Sequence, residues 1–124
     1  MQSETIALCF DAESQALEHA NQKATTFYDI PPPKGVKLRY MQDMFSYTLW
    51  PDETQKEEVL SRIRALTLDS NRIQLECEMA MPGSKDTSWF MFYFIPAPNP
   101  VNGRLMVIVN QHNVTMQHLQ SEQL

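Results

Sequence analysis

The stretch 88–124, SWFMFYFIPAPNPVNGRLMVIVNQHNVTMQHLQSEQL, holds two long apolar runs separated by a Pro/Asn/Gly turn. Each run is too rich in Phe, Met, Val and Ile to leave either face in water, so the sheet they build must be covered on both sides. In the first run, Phe90, Phe92 and Phe94 share one face and Trp89, Met91, Tyr93 and Ile95 the other. Alternation alone does not say which of these faces looks inward. Arg104 to Gln111 makes the second strand, and the chain then passes through Asn113, Val114 and Thr115 into a short polar helix.

Working back from that pair, Arg72 to Met81 alternates cleanly. Ile73, Leu75, Cys77, Met79 and Met81 lie on one face, with Arg72, Gln74, Glu76 and Glu78 on the other. A strand buried on one side only reads as an edge strand. The turn Pro82 to Asp86 joins it to the strand carrying the three phenylalanines, so the last three strands form an antiparallel meander. Before them, Asp52 to Leu68 is the clearest helix. Asp52 as N-cap with Gln55 three residues on has the form of a capping box, and Val59, Leu60, Ile63 and Leu66 make an apolar stripe.

The first half is more broken. Thr5 to Phe10 alternates as a strand, the polar run Asp11 to Ser14 interrupts it, and Ala16 to Ala20 completes a hairpin. Asn21 is a good N-cap for one or two helical turns ending near Asp29. The proline run 31–33 stops any helix, because proline lacks the N–H and clashes with the preceding turn. Leu38 to Phe45 has Leu38, Met41 and Phe45 at helical spacing. The order is β, β, short helices, one longer helix, and three antiparallel strands: an α+β domain with a five-stranded antiparallel sheet and helices on one face.

Bulk properties narrow the function. With 124 residues the chain is one domain, and its 43% hydrophobic and 20% charged content is ordinary for a globular protein. No apolar run approaches the roughly 18 residues a membrane span needs, so no direct membrane insertion is expected. Residues 1–10 lack the pattern of a signal peptide. A net charge of −5 with no basic patch argues against a nucleic-acid partner. Cys9 and Cys77 sit inside apolar strands without metal-ligand or C-x-x-C spacing, as buried thiols of a reducing, cytoplasmic protein do. His19, His112 and His118 fall near strand ends and on the final helix, with no ligand pair on one helix, so no metal site is expected. Acidic residues are scattered, no nucleophile elbow occurs, and no catalytic residue is assigned.

This arrangement resembles the PAS domain, a sensory module of signalling proteins such as histidine kinases, and the resemblance covers nearly the whole chain. Asp11 ends the first strand and Asn21 opens a helix after a short second strand, as in that family. Ala24 and Phe27 stand where it carries small and apolar residues. Trp89, Pro96, Pro98 and Gly103 echo its last hairpin, and Asn113-Val114-Thr115 takes the place of its Asp-Ile-Thr exit motif. The tail HLQSEQL is similar to the start of a signalling helix. The departures are Asn113 for the usual acid, Met116 where an acid often follows, and Asp29 for a closing glycine.

The resemblance implies a sensor domain over 1–114 and a signalling helix or linker over 115–124, cut from a longer protein. It places a small-molecule pocket at Phe27, Phe45, Ile63, Cys77, Met79 and Phe92, and a signal exit at Asn113, Val114, Thr115 and Leu119. Six methionines at core or sheet positions, Met79 and Met91 among them, fit ordinary packing first and a deformable pocket second. The cofactor is unknown. Haem is disfavoured because helix 52–68 lacks histidine, and flavin because no cysteine falls between residues 10 and 76. If Phe90, Phe92 and Phe94 pack under the helices, the outer residues Trp89, Met91, Tyr93 and Ile95 exceed what a monomer exposes. Either an additional N-terminal helix or a second subunit must cover them, and a homodimer through the sheet is the expectation. The expected role is therefore a non-catalytic sensor and dimerisation module acting on an output domain. Thr115 is expected to cap the exit helix, with Val114 packing on Leu119. Two alternatives remain: a small enzyme or ligand-binding protein similar to nuclear transport factor 2, and a cofactor-free interaction domain. The first normally opens with long helices, unlike this chain.

Overall fold

A computed structural model describes residues 5–28, 30, 38–80 and 85–122. Asp29, the prolines at 31–33, Met81 and most of the turn at 82–84 fall outside them, as do the readings placed there. The strands are β1 (Ile6–Asp11), β2 (Leu17–Ala20), β3 (Thr48–Leu49), β4 (Ile73–Ala80), β5 (Thr87–Pro98) and β6 (Leu105–Asn113). The helices are α1 (Gln22–Tyr28), α2 (Met41–Phe45), α3 (Glu53–Arg64) and α4 (Thr115–Glu122). All six strands join one antiparallel sheet in the order β2-β1-β6-β5-β4-β3. The sixth strand corrects both the five-strand reading and the reading of β4 as an edge strand, since β3 lies outside it. Thr48 and Leu49 pair with Met79 and Glu78, a segment too short to show any alternation in sequence.

The inner face of the sheet is set by register. Phe90, Phe92 and Phe94 lie opposite Cys77, Leu75 and Ile73 on β4, and Phe92 and Phe94 lie opposite Gln111 and Val109 on β6. Ile6, Leu8 and Phe10 continue that face onto β1. Helices α1 to α3 cover it with Ala24, Tyr28, Met41, Met44, Phe45, Val59 and Ile63, all buried. Burial of this continuous apolar layer is the main stabilising term.

Local chemistry sets the helix ends. Asn21 Oδ1 accepts from Ala24 N at 2.9 Å and from Ala7 N at 3.2 Å, and its Nδ2 donates to Thr5 O at 3.0 Å. One side chain thus caps α1 and ties it to β1. Asp52 Oδ1 accepts from Gln55 N at 2.7 Å, starting α3 as its sequence implies. That helix stops at Arg64, short of Leu68, because Thr67 and Ser70 close a polar turn: Thr67 N donates to Ser70 Oγ at 2.9 Å. Helix α2 is also shorter than expected, since Asp43 Oδ2 accepts from the N–H groups of both Arg39 and Tyr40 and holds them outside the helix. The β1–β2 turn docks on α2. Gln15, with φ +65°, receives the Met41 N–H on its carbonyl at 2.9 Å.

Candidate functional site

The six side chains proposed for a pocket do converge. Phe45, Ile63, Cys77, Met79 and Phe92 belong to one buried cluster, and half-buried Phe27 packs against it. The Phe27 ring meets Tyr28 edge-on at 4.8 Å and Phe90 at 5.5 Å, while Phe45 meets Phe94 and Trp50, each at 5.8 Å. Met79 and Phe92 have no exposed surface, so no void of even one water's size touches either. Burial pushes the Cys77 thiol up to about 12, keeping it neutral and inert.

One polar chain crosses this interior. Tyr28 Oη donates to Gln111 Oε1 at 2.6 Å, and Gln111 Nε2 lies 3.5 Å from Met79 Sδ. Both residues are fully buried, and burial raises the Tyr28 phenol well above its ordinary value. Sequence reading missed the pair. Its signal was Gln111 itself, an amide at an inward position of an otherwise apolar strand.

The opposite face is half-exposed along Trp89, Met91, Tyr93 and Ile95. It is not uniformly bare. Helix α4 turns back on it, and the His118 imidazole stacks on the Trp89 indole with centroids 3.7 Å apart and planes inclined by 15°. His118 Nδ1 lies 3.0 Å from Glu76 Oε1 on β4. This arrangement was not legible either, because it joins residues from three elements and depends on the direction α4 takes.

That direction is fixed at the exit motif. Val114 N donates to Trp89 O at 2.8 Å, and Trp89 N donates to Thr115 Oγ1 at 2.9 Å. Asn113 Oδ1 accepts from Thr115 N at 3.0 Å. The expected roles are thus shifted by two residues. Asn113 meets the first helical N–H, whereas the Thr115 hydroxyl bonds the helix to β5. Leu119 remains 45% exposed, so it is not buried under Val114 as the staple expectation had it.

Open clefts lie elsewhere. One of about 600 Å3 is bounded by Ala12, Gln15, Tyr40, Gln42, Leu60 and Arg64, at the end of the sheet where the β1–β2 turn meets α2 and α3. A shallow apolar groove on the outer face runs past Ala7, Cys9, His19 and Ile108. Cys9 Sγ sits 3.3 Å from Met106 Sδ there, and burial with nearby Glu18 raises its thiol above the ordinary value. Among the described residues no group of three or more His, Cys, Asp or Glu side chains is placed to hold a metal, and no helix is long and apolar enough to cross a membrane.

No family model and no curated protein matches the sequence. Solved structures do match it. The N-terminal domain of a diguanylate cyclase with PAS/PAC sensor from Marinobacter aquaeolei superposes with a TM-score of 0.65 at 10% identity, over 92% of this chain and 98% of that one. The PAS domain of an HTR-like protein from Haloarcula marismortui gives 0.62 at 14% identity, over 90% and 88%. That of nitrogen regulation protein NR(II) from Vibrio parahaemolyticus gives 0.57 at 12%, over 90% and 91%. At such identities the likeness is one of fold. The fold is PAS-like: an antiparallel sheet with short helices on its inner face.

Proposed function

We propose that this chain is the sensor or dimerisation module of a larger signalling protein, a histidine kinase being the first candidate. In this reading residues 1–114 sense and residues 115–124 begin the link to an output domain. A small ligand or partner acts at the inner face, around Phe27, Phe45, Ile63, Cys77, Met79 and Phe92. The change passes out through Asn113, Val114, Thr115 and Leu119. The module itself performs no chemistry and works in the cytoplasm. Its neighbours by fold, a PAS/PAC sensor of a diguanylate cyclase and a PAS domain of a nitrogen regulation protein, support the class.

One observation carries the reading. The start of α4 is bonded through Val114, the residue before it, and through Thr115 to the backbone of Trp89, and the next residue on β5, Phe90, is buried in the core. A shift of β5 caused at the inner face therefore moves the start of α4, giving the shared structural element that coupling between two sites requires. Native against denatured mass spectrometry of freshly purified protein tests the ligand. A bound mass lost on denaturation supports it, and a bare chain removes it.

The complete burial of Met79 and Phe92 favours a second reading, a cofactor-free interaction module. For that reading the same experiment returns a bare chain, and a homodimer through Trp89, Met91, Tyr93 and Ile95 becomes the main role. Replacing Met91 and Ile95 with lysine should then yield a monomer in sedimentation, because like charges would face each other in a desolvated contact. A dimer that survives both substitutions rejects this surface.

A further inference from the structure

The eight described residues of helix α4 are polar, and propensity alone would not hold such a segment helical in water. What holds it against the outer sheet face is a compact set of contacts. His118, one turn into the helix, has a side chain only 18% exposed, stacked flat on Trp89 and set against the Glu76 carboxylate. The two contacts respond to protonation in the same direction. An imidazolium over an indole face gains a cation–π attraction that a neutral ring lacks, and beside a carboxylate it gains an ion pair.

We propose that His118, Glu76 and Trp89 form a proton-sensitive latch, closed on α4 when His118 is protonated and loosened when it is neutral. The latch is fully present on the acid side of the His118 titration and weakens as pH rises through it. Other charged or titratable groups stand on the elements around the latch. Glu78 on β4 is a second carboxylate on the same outward row, occupied by Thr87 Oγ1 at 2.7 Å. On β6, His112 contacts Thr5 Oγ1 at 3.4 Å and the Tyr93 ring edge at 5.9 Å. On β5, Tyr93 carries the Arg72 guanidinium 4.5 Å above its ring. Lys85 and Asp86 precede β5, and Glu122 follows on α4 itself. Closing covers one face of the Trp89 indole and opening uncovers it, so the latch sets how much of the outer sheet face a second surface can reach. It goes beyond the proposed function, since it needs neither a ligand nor a dimer.

Tryptophan emission reads this contact directly, because a stacked imidazolium quenches an indole. The chain has two tryptophans, and Trp50→Phe leaves Trp89 as the only one. Trp50 Nε1 has no hydrogen-bond partner among the described residues, so that substitution strands no acceptor. Emission should fall on acidification with one sigmoid as His118 takes up its proton. His118→Gln should abolish the step and His112→Gln should keep it. Glu76→Gln should move the midpoint to more acid pH, as the imidazolium loses its counter-charge. If Trp50→Phe does not fold, the difference between unsubstituted chain and His118→Gln gives the same reading over a constant Trp50 background. A step that survives His118→Gln, or vanishes with His112→Gln, overturns the latch. So does a midpoint that moves between two protein concentrations, which would assign the change to contact between copies.

Discussion

The two faces of β5 carry equally large apolar side chains and lead different lives. Phe90, Phe92 and Phe94 are almost wholly buried, each touching a ring neighbour, with Phe92 and Phe94 stacked at 6.0 Å. Trp89, Met91, Tyr93 and Ile95, one residue out of phase, are half-covered, and their partners are polar: His118 on Trp89, Arg72 and His112 on Tyr93. Composition therefore does not separate an inner from an outer face. What separates them is the neighbouring strand. Inner β5 residues stand beside Ile73, Leu75, Cys77 and Met79, whereas outer ones stand beside Gln74, Glu76 and Glu78. The inner face is built for closure by its own helices, and the outer face combines apolar area with exchangeable polar contacts.

The sharpest way to break this contrast uses the two cysteines, one per face. Cys77 is 7% exposed with its ionisation suppressed by burial, while Cys9 is half-buried on the outer groove. Ellman's reagent at pH 8 should label one thiol in the native protein, with Cys77 reacting only through global opening. For a domain of ordinary stability, about 5 kcal/mol or more, that retards Cys77 by at least about a thousandfold. Equal rates would mean the inner face opens locally. Next in size, Phe92→Ala should destabilise by about 3–5 kcal/mol in urea unfolding. Met91→Ala, on the same strand, should cost under about 1.5 kcal/mol in the monomer, because its site is already part-solvated. Similar losses at both positions would erase the distinction between faces.

A smaller effect is expected where the inner face is polar. Tyr28→Phe removes the donor to Gln111 Oε1 and leaves a buried acceptor unmet, a cost of about 1–3 kcal/mol. Adding Gln111→Leu should recover much of it, since removing both partners leaves no stranded group. A double variant no more stable than the single one would show that Gln111 has further partners in the core.

Legibility in the sequence followed the same division. The sharing of one face by the three phenylalanines, the alternation of β4 and the caps Asn21 and Asp52 could all be read, because each rests on spacing within one segment; which face of β5 looks inward could not. Strand β3 could not, being two residues whose pairing exists only because Met79 and Glu78 lie beside them. The end of α3 was overestimated because Leu66 prolonged the apolar stripe, while the Thr67–Ser70 hydroxyl turn that stops it competes with the backbone. Phe27, Phe45, Ile63, Cys77, Met79 and Phe92 were expected to line a pocket, and the structure places them in or against the general core cluster. Whether they enclose space is a matter of packing, which spacing does not encode. The outer cluster of Trp89, His118 and Glu76 joins positions up to 42 apart and was invisible for that reason.

The smallest effect lies where the two faces meet, at the end of β1. Asp11 Oδ2 accepts from Ser14 N at 2.8 Å and from Ser14 Oγ at 2.9 Å, with the Arg104 guanidinium 3.7 Å away. The Ser14 hydrogen bonds, first from its backbone N–H and then from its hydroxyl, hold the carboxyl below its ordinary value, and Arg104 adds to this. Because the folded value is depressed, the stabilisation is complete above the unfolded value of about 3.9 and is lost as pH falls through the folded one. Asp11→Asn keeps an oxygen for the Ser14 N–H but gives up the charge. The variant should therefore be modestly less stable than the parent at pH 7, and the gap should close below about pH 4. Thermal unfolding across that window measures it. A gap that stays constant with pH would mean Asp11 acts through the shape of its turn alone, and the left-handed Gln15 that follows would then be held by backbone contacts to Asp11 O and Met41 N.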